Sequence, residues 1–561
     1  MIARLLAPVV AAALAVGVAT AAPAFAAAPT LTSFTPTSGA AGTSVTLTGT
    51  GFTAPSTVKF AGVSSSKVTV TSSTKIVATV PATAASGRIA VTTAGGTATS
   101  SASFTVLPGA VLSSTSGRPA TVTTLTLSGF GARQAVDVYF DSTEVRLAVA
   151  NASGVLTAAI TIPASATPGT HWITAVGRGA SAPAAQASFL VRTNWTMSSF
   201  DVTRSGSNPF ENVLTPTTVA KVTTLFRSPH IGSAQSTPAV VNGVVYATFG
   251  DGSIRAFTAA TGAQRWSRTT GGSTMFSSPT VSGSTLYVGS SDDKVYALNA
   301  TTGAILWTAA TGDVVYGAVA VVGSTVYVGS YDKKVYALNA ATGAVRWSYT
   351  TGSAVFASPT VVGGVVYVGS FDNNIYALNA STGALIWSHA MAGLVLASAV
   401  VVDDLVYVAS EGKDVSALQV DDGSVRWSVT VSGVVDGTPA YDAGLLFVAD
   451  TAGIVRALDA TTGVLRWTSS PSGGATLRAP VTVAGGVVYV ESNATYALRE
   501  SDGAPLRSLP AGSAYGGAAV ADGAITIGDN VGGKLVRYTL PATATAAGRP
   551  SPAALHPTFT R

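Results

Sequence analysis

At 561 residues the chain exceeds one ordinary domain, and only 10% of it is Asp, Glu, Lys or Arg, against roughly a quarter in a typical soluble protein. The formal net charge of +5 is carried by scattered single Lys and Arg residues, without the clustering that tracks a phosphate backbone, which excludes nucleic acid as a partner. Cysteine is absent, so disulfides, thiol chemistry and a lipid-modified N-terminal cysteine are excluded together and every folded unit must be stable by packing alone.

The first residues read as a targeting segment. Arg4 supplies a positive charge, Leu5 to Ala22 is an Ala/Val/Leu run, and Ala24-Phe25-Ala26 places small residues where a signal peptidase reads them. Export with cleavage after Ala26 is expected, making 1–26 a signal peptide. No later segment offers about 18 uninterrupted apolar residues, so no membrane-spanning helix is expected.

From 29 to 107, Thr and Ser alternate with Val, Leu and Ile in short runs divided by Gly and Pro, the pattern of a small β-sandwich. The stretch from Phe34 through Pro36, Ser38-Gly39, Gly42 and Val45-Thr-Leu47-Thr-Gly49-Thr-Gly51-Phe52 resembles the opening of IPT/TIG domains. Val58-Lys-Phe60-Ala-Gly62, Val80-Pro81 and Phe104-Thr-Val106 extend the likeness across the module. The resemblance implies an immunoglobulin-like fold. A second module, 108–191, repeats the strand and turn in Leu125-Thr-Leu127-Ser-Gly129-Phe130 and resembles bacterial Ig-like repeats. Both are expected to act as spacers. A carbohydrate-binding role is the alternative, though neither shows a flat row of aromatics for sugars to stack on.

The remainder, 193–541, is ruled off by tryptophan. Trp266, Trp307, Trp347, Trp387, Trp427 and Trp467 follow one another at 40 or 41 residues, each four residues after a Gly. One supersecondary unit of four short strands, copied with this period, is a β-propeller blade. One blade reads Ala357-Ser-Pro359-Thr-Val-Val, Val365-Val-Tyr367-Val-Gly-Ser370, Ile375-Tyr376-Ala-Leu378 and Leu385-Ile-Trp387-Ser. Its inner strands are continuously apolar because neighbouring blades cover both faces. The second and third strands recur eight times, but only seven outer strands follow them, and the missing one is supplied by Thr224-Leu-Phe226-Arg ahead of the first blade. The expected fold is therefore all-β: two sandwiches, then an eight-bladed propeller closed by a Velcro strand. A Pro/Ala/Thr-rich tail, 542–561, is expected to be disordered.

Thr-Gly-Ala-x-x-Trp preceded by Tyr-Ala-Leu-Asn-Ala resembles the tryptophan-docking repeat of the pyrroloquinoline quinone (PQQ) propeller superfamily. The lead-in from Asn194-Trp195 through Ser205-Gly206 and Asn208-Pro209 to Leu214-Thr-Pro216 is similar to the segment that opens those propellers. The resemblance implies a structural docking role for the six tryptophans. It also implies either a quinoprotein dehydrogenase using PQQ and calcium on alcohols or sugars, or a scaffold of the BamB type that binds no quinone. Adjacent cysteines, which quinoprotein alcohol dehydrogenases typically place against PQQ, are missing.

The loops entering each blade mark the channel rim at Gln235, Phe276, Tyr316, Phe356, Leu396, Asp436, Leu477 and Tyr515. A tricarboxylate such as PQQ needs several cations, and Arg478 is the one beside this set. Gln235, Phe276, Tyr316, Phe356, Asp436, Arg478 and Tyr515 are the candidate ligand-binding residues, with channel-filling side chains as the plainer reading. The histidines 171, 230, 389 and 556 are dispersed, without metal-ligand spacing. Asp292-Asp293, Asp403-Asp404 and Asp421-Asp422 fall in expected hairpin turns and read as solvated turn residues. Neither a catalytic residue nor a metal ligand is identified.

The reading is a secreted or cell-surface, non-enzymatic binding or scaffold protein, monomeric, without a cofactor, whose partner is an extracellular protein or an envelope polysaccharide. A PQQ- and calcium-dependent dehydrogenase and an extracellular carbohydrate-binding protein are the two alternatives.

Overall fold

The computed structural model describes residues 27–179, 183–274, 276–530, 532–541 and 551. The expected signal peptide at 1–26 and the tail from 542 onward, Ser551 apart, lie outside the described residues. Strands make up the described fold apart from a single turn of 3-10 helix at Val219–Lys221. Among the described residues no helix is long and apolar enough to cross a membrane.

The first module packs a sheet ordered Thr30–Thr35, Ser44–Thr50, Lys75–Thr79, Val68–Ser72 against a second sheet that includes Gly96–Val106, Gly87–Thr93 and Thr57–Phe60. Val45 and Leu47 from one sheet meet Val58, Phe60, Ile89 and Phe104 from the other, the period-two burial expected of strands with one covered face. The second module repeats this plan. In both, a two-residue strand, Ser38–Gly39 or Ser116–Gly117, lies parallel on the last strand of the module, Gly96–Val106 or Ala184–Val191.

Among the described residues eight further sheets follow. Blade 1 comprises Ala239–Val241, Val244–Thr248, Ser253–Thr258 and Gln264–Thr269, and blades 2 to 6 repeat this antiparallel meander to Leu465–Ser469. Blade 7 runs from Thr482–Ala484 to Pro505–Leu509. Blade 8 contributes Ala519–Ala521, Ala524–Asp529 and Lys534–Thr539, and its outer strand is Thr223–Arg227, antiparallel to Lys534–Thr539. The first strand of each blade neighbours that of the next, and blade 8 neighbours blade 1, so the inner strands form a closed circuit around a channel.

The tryptophans staple one blade to the next. Trp347 Nε1 donates to Ala380 O at 3.0 Å and Trp387 Nε1 to Val420 O at 2.9 Å, and the other four make the corresponding bond. Each ring lies on the glycine of the following blade: a Cβ on Gly383, at φ +75, would sit 2.6 Å from Trp347 Cε3. That close approach, with φ in the left-handed region, is why the repeat carries Gly four residues before each Trp. At the closing seam Phe226 takes the same place, 2.6 Å from a Cβ built on Gly262.

One segment is more than a connector. Residues 195–208 cross the inner edges of the blades, where first strands present unpaired backbone groups to the channel. Trp195 N–H donates to Val240 O of blade 1 at 2.8 Å. Val281, Val361, Val401, Tyr441 and Val483 donate their N–H groups to Thr196, Val202, Thr203, Ser205 and Gly206 carbonyls at 2.7–3.1 Å. Asn208 Nδ2 reaches Val520 O of blade 8 at 2.8 Å. Where the segment passes blades 3 and 4, the wholly buried Arg204 donates to Ser198 O at 2.9 Å, Ala318 O at 3.4 Å and Pro359 O at 3.2 Å. This strap spans the inner ends of all the blades and floors the channel.

Candidate functional site

Opposite the strap the channel opens into a cup of about 280 Å³, with Ser198 of the strap in its floor. Two sets of loops build its wall. The loops entering each blade bring in Phe276, Tyr316, Phe356, Leu396, Asp436, Arg478 and Tyr515, and the turns after the second strands of blades 3 and 4 bring in Tyr331 and Phe371. Both loop sets lie at one end of the propeller because the strands of a blade alternate in direction.

The rings form a continuous arc. Phe276 meets Tyr515 at 5.5 Å and 88° and Tyr316 at 5.3 Å and 76°. Tyr316 meets Tyr331 at 5.2 Å and 83°, Tyr331 meets Phe371 at 5.6 Å, and Phe356 stands against Tyr316 and Phe371 at 6.3 Å. Edge-to-face packing of this kind adds to the stability of apolar burial and fixes ring orientation. Burial, with Tyr316 and Asp313 adding to it, pushes the Tyr331 hydroxyl up to about 12.

The facing wall is charged. Arg478 Nη1 donates to Asp436 Oδ2, and the Asp436 side chain is only 5% exposed. Its other oxygen, Oδ1, has no hydrogen-bond partner among the described residues. Burial raises the Asp436 carboxyl above its usual range while Arg478 pulls it back. Glu411, two residues past the second strand of blade 5, occupies the position that Tyr331 and Phe371 hold in blades 3 and 4. Its carboxyl is raised by burial and by Asp436, with Arg478 opposing.

Below the rings a series of hydroxyls bonds blade to blade. Thr237 N–H donates to Ser278 Oγ at 3.0 Å, Ala318 N–H to Ser358 Oγ at 2.9 Å, Ser358 N–H to Ser398 Oγ at 3.2 Å and Ser398 N–H to Thr438 Oγ1 at 3.2 Å. Each of these acceptors lines the cup.

Of the rim residues read from the sequence, Phe276, Tyr316, Phe356, Leu396, Asp436, Arg478 and Tyr515 come together here. Gln235 does not. Its Nε2 donates to Asn530 Oδ1 at 2.8 Å, and Ser233 Oγ bonds the same atom, so the side chain is used at the seam between blades 1 and 8. Leu477 is buried in the core between blades 6 and 7 rather than in the cup. Tyr331, Phe371 and Glu411 were missed, because residues next to a hairpin turn read as solvated; their shared position after the second strand was the available signal. Asp292 also departs from that reading: it accepts from Tyr296 Oη at 2.6 Å and Lys294 Nζ at 3.1 Å and is largely buried.

The cup's donor set does not fit PQQ. Three carboxylates would face a single arginine already held by Asp436, and two carboxylates stand nearby. Among the described residues no group of three or more His, Asp or Glu is placed to hold a calcium ion.

The family model described as outer membrane protein assembly factor BamB matches residues 220–313, 291–433 and 382–538, and that of the IPT/TIG domain matches 29–106. Among solved structures, BamB from Moraxella catarrhalis is 19% identical, with a TM-score of 0.50 over 58% of this chain and 99% of that one. A quinohemoprotein alcohol dehydrogenase from Comamonas testosteroni is 13% identical, with a TM-score of 0.55 over 63% and 81%. The computationally designed Ika8 protein is 16% identical, with a TM-score of 0.50 over 56% and 99%. No curated protein matches the chain. At these identities the structural likenesses speak for the fold alone.

Proposed function

The chain belongs to the family of the outer membrane protein assembly factor BamB and carries an IPT/TIG domain ahead of its propeller, and from that premise we propose that it is an exported, non-catalytic binding protein. The cup receives part of a partner protein at the cell surface or envelope. The two sandwiches hold the propeller away from its point of attachment.

One observation carries this reading: the strap and the buried Arg204 close one end of the channel, leaving a blind, ring-lined recess at the other. A concave, mostly apolar site with a few convergent polar groups is the usual form of a binding pocket. Among the described residues its lining includes neither histidine nor lysine. The one charged pair is bonded to itself, as suits recognition rather than proton transfer. The dehydrogenase reading requires a tricarboxylate to enter against Asp436 and Glu411, and the charge balance opposes it.

Peptides selected from a random display library on the full chain test this. Those retained are expected to bind Phe276→Ala and Tyr316→Ala variants at least tenfold more weakly than the parent, since recognition energy concentrates in buried anchors at the centre of a site. Equal binding to parent and variants, with unchanged melting, would place recognition elsewhere on the propeller and refute the proposal.

A further inference from the structure

Resting on the reading of the cup as the binding site, we propose that its occupant is a cationic side chain, the ammonium of a lysine or the guanidinium of an arginine, carried by the partner.

Three independent features of the cup point to this class. The first is ring orientation. Tyr515, Phe276 and Tyr316 succeed one another at interplanar angles of 88° and 76°, and Tyr316 and Tyr331 at 83°. These near-perpendicular rings turn faces and edges in several directions rather than forming one platform, with Phe356 and Phe371, 24° apart, a stacked pair beside them. A flat sugar face needs a coplanar surface, whereas a compact cation is attracted to ring faces turned towards it from several sides.

The second is an unanswered acceptor. Asp436 is held on one side by Arg478 through Oδ2, but Oδ1 is buried and unpartnered. A carboxylate oxygen left without a donor away from water costs free energy that a ligand N–H would recover. Among the described residues no side chain supplies that donor: Arg478 is bonded to the other oxygen, and no hydroxyl of the cup wall reaches Oδ1.

The third is the charge count. Glu411 stands beside the cup, near enough to feel the charges of Asp436 and Arg478, so two carboxyls share a single arginine, an excess of one negative charge when both are ionised. A monovalent cation restores neutrality, while an anion would add a second uncompensated charge beside a buried carboxylate. The cup, at about 280 Å³, accommodates one long side chain with its stem along the rings and its head at Asp436.

The test uses the purified full chain and three small probes in calorimetric or saturation-transfer titrations: N-acetyl-lysine methylamide, N-acetyl-arginine methylamide, and N-acetyl-norleucine methylamide as the uncharged counterpart. At least one basic probe is expected to bind saturably and at least tenfold more tightly than the norleucine probe. Binding should weaken several-fold between low and 0.5 M salt. Asp436→Asn and Glu411→Gln are each expected to reduce it by several-fold or more, the second without touching the Arg478 pair; thermal melting of both variants verifies that they are folded. Norleucine binding as tightly as lysine and arginine, with loss in Tyr316→Ala, would overturn the cation assignment while leaving the binding-site reading intact. Absence of binding by both basic probes would overturn it too, as would display-selected peptides that need the cup but contain no Lys or Arg.

Discussion

Arg204 is the residue on which the closed end of the channel turns, and replacing it tests that claim. Its side chain is fully buried and its guanidinium reaches three backbone carbonyls, Ser198 O, Ala318 O and Pro359 O. Burial lowers its pKa to about 10 from 12.5, with Asp201 opposing. At 1.36 kcal/mol per unit, holding the charge inside costs about 3 kcal/mol. The sign follows from the depressed value: the cost is present at every pH below about 10 and disappears only as the pH rises from there towards 12.5. Arg204→Met removes that cost but leaves three buried carbonyls without a donor, at about 1–3 kcal/mol each. The net expectation is a loss of about 2 kcal/mol. Arg204→Ala adds a cavity and should lose about 2 kcal/mol more. At roughly 2 °C per kcal/mol for a large domain, the two variants should melt about 4 °C and 8 °C below the parent. Hydrogen exchange locates the effect: the amides of Val281, Val361, Val401, Tyr441 and Val483, which donate to the strap, should lose protection while outer-strand amides do not. A methionine variant that melts with the parent and keeps those amides protected would refute the role given to Arg204.

Three other outcomes are expected. Gly383→Ala, at φ +75 with Trp347 Cε3 2.6 Å from the new Cβ, should lower stability by about 3 kcal/mol in urea. Gly363→Ala, at φ +58 with nothing within 4 Å, should lose only the backbone share of about 1 kcal/mol, and equal losses would mean that the ring contact is unimportant. Glu500 is raised to about 7 by burial and by the neighbouring Asp442, so the folded state holds a proton that the unfolded chain releases near 4.5. Stability from this group is full below about 4.5 and is lost as the pH rises towards 7 and above; the melting temperature should fall between pH 5 and pH 8, and Glu500→Gln should narrow the difference.

How much of this could be read in the sequence depends on whether the signal was periodic. The Gly-x-x-x-Trp spacing fixes the blade register because a ring on the next blade's glycine imposes the same residue pair at every repeat. Phe34, Val45, Leu47 and Phe104 mark the first sandwich for a similar reason, since alternate positions of its strands enter one core. Six rim residues could be found by counting to the loop before each first strand, and they do meet in the cup. Gln235 occupies the matching position yet turns to Asn530, because its neighbour blade is the one that closes the ring and offers a side-chain acceptor there. Tyr331 and Phe371 were hidden by the rule that hairpin turns face water, which fails where turns converge on a channel mouth. The strap was legible as a family-like lead-in but not as a floor. It has no periodicity, and Arg204 finds Ala318 and Pro359 across 114 and 155 residues of sequence.

The central claim, that this propeller end is a recognition cup rather than a quinone site, is tested most directly by titrating the full chain with PQQ and calcium in a calorimeter, beside an Asp436→Ala control. The account predicts no saturable heat from either protein. Micromolar or tighter binding to the parent that is lost in the variant would contradict it and make the chain a quinoprotein.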